Sequence, residues 1–373
     1  MDNLKINECF GNVETTEEHS GYYYSAGKAL TIAIMGSICG IQTVRQIHQW
    51  ATTERVRDFL MEHCGIYKIP TYCWLLELLA LIKPESLNQK FTYWVTTLLP
   101  EVLKDLTISF DGKTVRSTGK MSEYDKPLHI LSAHIAELGL TIGQKTISEK
   151  SNEIPAMREL LELINVHGCM VVADALNCQT ETAEAIINNG GDYLLNAKGN
   201  QETLMNDIAD YVQNPELREN MDSASSREKN GGRIEFRCAF VSHDIEWMGE
   251  QLNRWLGLAC IGAINRKFTV NGETSNEWHY YISSRKLSPE ELLKFARNEW
   301  SIESMHWLLD VHFAEDFCCI RDKNVNEVLN MLRKMALNCV RNYKNESGSK
   351  LPISRLMFGC LLDCERILEI LNP

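Results

Sequence analysis

The sequence predicts an α/β protein in which helices flank a mixed sheet, with a helical N-terminal domain and a β-rich insertion. Two observations lead to this prediction. Between residues 26 and 98, apolar side chains recur at three- and four-residue spacing, as they do along one face of a helix. From residue 106 onward, short runs rich in strand-forming residues alternate with helical stretches, which is typical of a sheet with crossover connections.

The N-terminal segment is predicted to be entirely helical. Pro70, Pro84 and Pro100 separate its periodic stretches. The predicted helices cover residues 26–49, 53–63, 71–81 and 84–98. We therefore expect residues 1–104 to form a helical domain.

The sheet is predicted to begin at residues 106–110, where apolar and small polar residues alternate. The continuous apolar run at residues 169–173 is typical of a strand buried on both faces. The order of strands and helices indicates an antiparallel start followed by parallel crossovers. The other predicted elements are strands at 128–136, 140–147 and 193–195 and helices at 154–166, capped by Asn152, and 178–188.

Residues from about 200 to 287 depart from this alternation and are predicted to be an insertion. It comprises a helix at 201–212, a polar loop rich in Asn, Ser and Glu, and strands at 233–240, 255–264 and 279–283. Two helices follow, at 289–309 and 325–343. We expect a catalytic domain over residues 105–345 and a C-terminal tail over 346–373.

Composition limits the possible functions. Of the 373 residues, 44% are hydrophobic and 24% charged, as in soluble globular proteins. The net charge of −12 argues against a protein that coats nucleic acid without regard to sequence, because phosphate neutralisation supplies such affinity. Basic residues are nevertheless concentrated locally: residues 113–120 carry three without an acid, and 321–344 carry six against two acids. Solvated helix faces would explain these charges equally well.

The cysteines and the N-terminus point to a cytoplasmic protein. The chain has 13 cysteines and no CxxC pair, which favours reduced thiols over zinc ligands. The acidic N-terminus is unlike a secretory signal. The apolar stretch at residues 29–41 is too short to span a bilayer, so we expect a buried helix there.

Three carboxylates are the candidate catalytic residues. Asp111 follows the first predicted strand, although Asp111-Gly112 is also a typical hairpin-turn pair. Asp174 follows the buried strand, where an N-cap is the alternative interpretation. Glu303 lies in a helical segment rich in tryptophan. It shares a face with Glu299, His306 and Asp310, and that face is either functional or merely solvated.

The predicted topology brings two of these acids together. The first strand and the strand after the crossover are neighbours in such a sheet, so Asp111 and Asp174 would lie at the same sheet edge. A helix packed across that edge would add Glu303. Converging carboxylates repel one another unless cations lie between them, and oxygen ligands suit Mg²⁺ or Mn²⁺. The sequence therefore predicts a site for two such ions acting on a phosphodiester.

Four segments of the chain carry a family resemblance: Ile-Ser-Phe-Asp-Gly-Lys-Thr-Val-Arg at 108–116, Val-Ala-Asp-Ala-Leu-Asn-Cys-Gln at 172–179, Gly-Gly-Asp-Tyr-Leu-Leu-Asn-Ala-Lys-Gly-Asn-Gln at 190–201 and Arg-Asn-Glu-Trp-Ser-Ile-Glu-Ser-Met-His-Trp-Leu-Leu-Asp at 297–310. In this order they resemble DDE transposases of bacterial insertion sequences, in the branch that contains the H-repeat-associated proteins of Rhs elements. Residues 26–98 resemble that family's N-terminal associated domain, and residues 231–235 and 279–284 its insertion region.

The resemblance implies an RNase H-like core that cleaves DNA at element ends and transfers strands to target DNA. It assigns catalysis and metal binding to Asp111, Asp174 and Glu303. The chain departs from the family at three positions. Gly231 and Glu299 stand where the family often has His, and Asp310 stands seven residues after Glu303, where related transposases have a basic residue.

Several basic residues are candidate DNA contacts, each with a structural alternative such as a solvated side chain or an ion pair. His306 is also a candidate for orienting a metal-bound water. Because synapsis joins two DNA ends, we expect a homodimer at that stage. An RNase H-like nuclease, an inactive relative and a non-enzymatic regulatory or interaction protein are the alternatives. The candidate DNA contacts are Lys113, Arg116, Lys198, Arg297, His306, Arg321, Arg333 and Lys334.

Overall fold

The computed structural model describes residues 10–17, 24–101, 103–116, 118, 127–147, 152–230, 233–270, 273–318 and 320–372. The chain divides into two compact units. The first unit comprises Met1–Pro100, Gly112–Lys150 and Glu303–Pro373, and the second comprises Glu101–Asp111 and Ser151–Ile302. The predicted domain limits (1–104, 105–345 and 346–373) stay a prediction.

The first unit begins with five helices: α1 (Ala26–Ile38), α2 (Val44–Ala51), α3 (Glu54–Cys64), α4 (Tyr72–Ala80) and α5 (Pro84–Thr96). Hydroxyl side chains cap three of them, since Ser25, Thr43 and Thr71 accept hydrogen bonds from backbone N–H groups in the first turns. The single helix predicted at 26–49 is wrong. Gly40 adopts a φ of 78°, which ends α1, and Thr43 then caps a new helix.

The first unit also contains an antiparallel pair, β2 (Leu128–Ile135) and β3 (Leu140–Ile147). The helix α13 (Lys323–Glu346) packs against β3, α1 and α5. Asn338 joins α13 to β3 directly, because its side chain accepts from the Thr141 N–H (2.9 Å) and donates to the Thr141 carbonyl (2.7 Å). Two further helices, α14 (Ile353–Leu362) and α15 (Arg366–Leu371), lie in the predicted C-terminal tail.

The second unit contains the parallel strands β4 (Met170–Ala173) and β5 (Asp192–Ala197). Helix α6 (Glu153–Leu163) precedes β4, and α7 (Thr180–Asn188) connects β4 to β5. All four residues of β4 are buried, as the continuous apolar run predicts. The helix α8 (Glu202–Gln213) and two short helices, α9 (Pro215–Glu219) and α10 (Glu250–Arg254), also belong to this unit.

The insertion forms a run of antiparallel strands: β6 (Asp222–Asn230), β7 (Arg233–Ser242), β8 (Cys260–Val270) and β9 (Glu273–Ser283). β9 pairs with β5, so the insertion continues the sheet. The polar loop predicted before residue 233 is wrong, since β6 occupies Asp222–Asn230. The predicted strand at 255–264 begins only at Cys260. Helix α11 (Pro289–Asn298) packs on β7 through Leu292 and Phe295.

Two elements cross the border between the units. Strand β1 (Thr107–Val115) passes from the second unit to the first after Asp111, and helix α12 (Ser301–Phe313) does so before Glu303. The strands follow the order β3-β2-β1-β4-β5-β9-β8-β7-β6. This mixed sheet with flanking helices, a helical N-terminal region and a β-rich insertion confirms the predicted fold class.

The long helix predicted at 289–309 is also wrong. Helix α11 ends at Asn298, with Glu299 as its C-cap residue, and α12 starts at Ser301. Glu299 therefore does not share a helix with Glu303, His306 and Asp310, and the predicted common face is limited to those three.

A buried lysine in α13 gives the first unit a pH-dependent stability. Lys334 is 2% exposed, and its Nζ atom donates hydrogen bonds to Ser132 Oγ (2.8 Å) and Gln144 Oε1 (2.7 Å). Burial lowers the pKa of Lys334 to about 7. The unfolded chain then binds more protons than the folded chain above pH 7, so this lysine makes stability rise with pH up to the ordinary lysine range.

We compare the free energy of unfolding of the wild type with that of Lys334→Met. We expect the wild-type value to rise relative to the variant by roughly a few kcal/mol between pH 7 and pH 10. Urea unfolding at a series of pH values measures this difference. Lys323→Met, at the exposed start of the same helix, is the control and should follow the wild-type curve. Parallel curves for the wild type and Lys334→Met would show that the lysine is not held in an uncharged state.

Candidate active site

Two aspartates of the second unit follow the last paired residues of two adjacent parallel strands. Strand β1 pairs with β4 in a register that ends at Phe110 and Ala173. The next residue of β1 is Asp111, and the first residue after β4 is Asp174. The predicted neighbourhood of the first strand and the strand after the crossover is therefore confirmed.

Asp174 is fixed by the short 3₁₀ helix that follows it. Its Oδ1 atom accepts hydrogen bonds from the Asn177 backbone N–H (3.3 Å) and from Asn177 Nδ2 (3.0 Å). The capping role that the sequence suggests for Asp174 is thus present. Because both bonds use Oδ1, the cap orients the carboxylate without engaging Oδ2.

The electrostatic environment of Asp174 disfavours its charged form. Burial raises the pKa of Asp174 above its ordinary value, and the negative charges of Glu153 and Asp111 raise it further, whereas hydrogen bonds from Asn177 oppose the rise. A cation beside Asp111 and Asp174 would offset the burial and the repulsion together.

Glu153 is a residue that the sequence analysis missed. It is the first residue of α6 and is only 2% exposed. A glutamate in the first turn of a helix is ordinary because it complements the helix dipole, so nothing in the sequence marks it as a neighbour of Asp174.

The turn interpretation of Asp111-Gly112 is wrong, because β1 continues through both residues to Val115. Asp111 consequently lies inside the strand and not at its end. Its parallel pairing with β4 nevertheless stops at Phe110, so the carboxylate is placed where the neighbouring strand gives way to a helix.

Glu303 lies in the first turn of α12, in the part of that helix that belongs to the first unit, and its side chain is exposed. An acid at this place also stabilises the helix through its dipole. Its assignment as the third catalytic carboxylate stays a prediction.

The donors present in the second unit suit a hard divalent cation. Mg²⁺ is typically held by one or two carboxylates, with water and substrate phosphates completing its shell. The pair of Asp111 and Asp174 matches that pattern. Among the described residues, no group of three or more His, Cys, Asp or Glu side chains is placed so that it could hold a metal ion.

The predicted DNA contacts of the second unit differ in their surroundings. Lys198 is exposed, directly after β5 and before a 3₁₀ helix. Arg297, in α11, forms an ion pair with Glu228 of β6. The alternative that the sequence left open for Arg297, pairing with a nearby acid, is therefore what the structure shows.

The predicted DNA contacts of the first unit fall into exposed and buried groups. Arg116 is 83% exposed, with Nε 3.9 Å from Asp316 Oδ2, and Arg321 is exposed before α13. Lys113 is largely buried, and its ammonium contacts Asp310 and Glu315. Lys120, which contributes to the predicted basic segment, lies outside the described residues.

His306, Arg333 and Lys334 are buried in this structure. Arg333 donates to the Gln42 carbonyl (3.4 Å), and Lys334 contacts the sheet as described above. Both side chains point into the interior because α13 is covered along most of its length. A DNA contact by any of the three stays a prediction. It would require the residues packed over these side chains to move.

Comparison with known proteins agrees with the geometry of the aspartate pair. The family model described as the transposase DDE domain matches residues 103–339, and the model described as DDE_Tnp_1-associated matches residues 7–95. The chain belongs to the DDE transposase family. The family match includes both β1 and β4, and hence Asp111 and Asp174, together with Glu303.

Curated relatives support the family assignment. The chain is 32% identical over 322 residues to the H repeat-associated putative transposase YhhI of Escherichia coli K12, covering 84% of each chain. It is equally similar, over the same shares, to the putative protein YbfL of that strain. Among solved structures, a piggyBac transposase synaptic complex with hairpin DNA aligns with 99% of this chain and 78% of its own, at 9% identity and a TM-score of 0.45.

None of the described helices combines the length and the apolar character that crossing a bilayer requires.

We expect Mg²⁺ or Ca²⁺ to raise the Tm of this DDE transposase family member, because an ion that binds only the folded state stabilises it by about 2.7 kcal/mol at a concentration 100 times its Kd. Asp174→Asn should remove most of the increase. Asp210→Asn, an exposed position on α8, is the control and should retain it. An equal Tm increase in the wild type and Asp174→Asn would contradict the assignment of this carboxylate.

Proposed function

We propose that this protein is a DNA transposase that cleaves the ends of an insertion sequence and joins them to target DNA. The observation that carries the proposal is the pair of aspartates that follow the last paired residues of two parallel strands, in a chain whose family is defined by a DDE domain. In the first step, water attacks a phosphorus at the element end and the P–O3′ bond breaks, leaving a 3′-hydroxyl and a 5′-phosphate. In the second, that 3′-hydroxyl attacks a target phosphorus and displaces another 3′-hydroxyl.

Asp111, Asp174 and Glu303 are the residues that would hold two Mg²⁺ or Mn²⁺ ions. When bound, such ions activate the attacking oxygen and stabilise the leaving oxygen of a phosphodiester. Asp174 is prepared for this role, since Asn177 fixes the carboxylate through Oδ1. Oδ2 is the atom we assign to the metal.

DNA must be bound locally, because the net charge of −12 opposes general attraction to phosphate. The exposed basic residues Lys198, Arg116 and Arg321 are the best supported contacts with the DNA backbone. Arg297 would first have to leave Glu228. Two element ends have to be held at synapsis, and we propose that a homodimer holds them.

We expect Asp111→Asn, Asp174→Asn and Glu303→Gln each to reduce cleavage of cognate element ends by about 10³-fold or more, since metal-assisted charge stabilisation is worth several kcal/mol. The measurement is a single-turnover cleavage and strand-transfer assay with oligonucleotide ends in Mg²⁺. Glu346→Gln, at the exposed end of α13, is the control for a lost negative charge.

Near-wild-type cleavage by any of the three variants would remove that residue from the site. Cleavage by the wild type without joining would identify a nuclease. DNA binding without cleavage would favour a non-enzymatic regulatory protein.

A second expectation concerns the exposed lysine after β5. A plot of log affinity against log salt concentration has a negative slope. If Lys198 neutralises one phosphate, Lys198→Ala should make that slope less steep by about 0.9. Lys334→Met should leave the slope unchanged because Lys334 is buried. Filter binding over a range of salt concentrations in EDTA measures both slopes, and the opposite pattern would mean that α13 is uncovered when DNA binds.

A further inference from the structure

The first unit contains a partly buried ion-pair cluster, which we call the Lys113 cluster: Lys113, Asp310, Glu315 and Asn330. The Lys113 ammonium lies 2.5 Å from Asp310 Oδ1 and 2.5 Å from Glu315 Oε2. The side chain of Glu315 is 1% exposed, that of Lys113 14% and that of Asp310 32%. Ion pairs shielded from water in this way are screened by salt far less than surface pairs.

A turn of the backbone after α12 brings Glu315 to Lys113. After α12 ends at Phe313, Ala314 adopts a left-handed conformation with φ of 50°, and Glu315 begins a 3₁₀ turn. Left-handed backbone is unfavourable for alanine, so the surrounding contacts must hold it. One such contact is Asn330 of α13, whose side-chain amide donates to Glu315 Oε1.

Lys113 and Asp310 each lie close in sequence to a predicted catalytic carboxylate. Lys113 follows Asp111 by two residues in β1, and Asp310 follows Glu303 by seven residues in α12. Seven residues are about two helical turns, so Asp310 and Glu303 lie along one side of α12. The positive charge beside Asp310 comes from Lys113 of β1.

We propose that Lys113 is a positioning residue, which ties the far end of the strand that carries Asp111 to the helix that carries Glu303. This inference rests on the proposed function. A direct phosphate contact by Lys113 is the competing role. It is disfavoured because two carboxylates already surround the ammonium and would repel a phosphate.

The variants that test this are Lys113→Met, the conservative Lys113→Arg, Asp310→Asn, and the double exchange Lys113→Asp with Asp310→Lys. The exchange keeps the charges of the cluster but moves the positive one onto α12. Lys350→Met, an exposed lysine of the same unit, is the control. Circular dichroism establishes that each variant is folded before it is compared.

Two measurements distinguish a positioning role of Lys113 from a direct contact with phosphate. Calorimetric titration of the protein with Ca²⁺ measures metal binding without turnover, and DNA affinity in EDTA measures phosphate contact. We expect Lys113→Met to weaken Ca²⁺ binding by tenfold or more and to need correspondingly more Mg²⁺ for cleavage, with DNA affinity within twofold of wild type. Lys113→Arg and the double exchange should recover at least part of the metal affinity, and Asp310→Asn should show a smaller loss.

Unchanged Ca²⁺ affinity in Lys113→Met would overturn the positioning role. Reduced DNA affinity in EDTA with normal metal binding would assign Lys113 to phosphate instead. If Lys113→Met does not fold, a double exchange that folds but binds Ca²⁺ no better than Asp310→Asn would overturn it equally. Failure of the proposed function itself is distinguishable, because it appears in the wild type as absent metal binding and absent cleavage.

Discussion

The placement of two neighbouring carboxylates, one of them buried, is the constraint on which the candidate site of the second unit depends. Asp111 and Asp174 follow the last paired residues of two parallel strands, so the backbone leaves them little freedom to separate. Burial of Asp174 makes its charge more costly still, as the raised pKa of this carboxyl indicates. A cation bound beside both aspartates would offset the burial and the repulsion.

Other features of the second unit help to hold the two aspartates in position. The 3₁₀ helix after β4 uses its Asn177 donors to fix one oxygen of Asp174, and α7 then carries the chain back to β5. The insertion strands extend the sheet beyond β5 without interrupting the pairing of β1 with β4. The pair of aspartates is thus supported by regular structure and not by loops, which is how precise constellations are held.

The sequence predicted the aspartate pair because its cause is topological: a buried apolar run after a helical crossover must lie beside the first strand. It did not predict β6, because that strand is polar and its conformation comes from pairing with β7. The break between α11 and α12 has neither proline nor glycine to mark it. Burial of Lys334 and Glu153 was hidden for a similar reason, since charged residues are normally exposed and only the packed fold shows their partners.

Crystals of the protein with element-end DNA and Mn²⁺, measured at the manganese absorption edge, would locate the metal ions and their ligands. We expect anomalous density bonded to carboxylate oxygens of both Asp111 and Asp174, with Glu303 completing the ligation. Manganese bound elsewhere, or a Glu303 carboxylate directed away from metal on the two aspartates, would contradict this expectation.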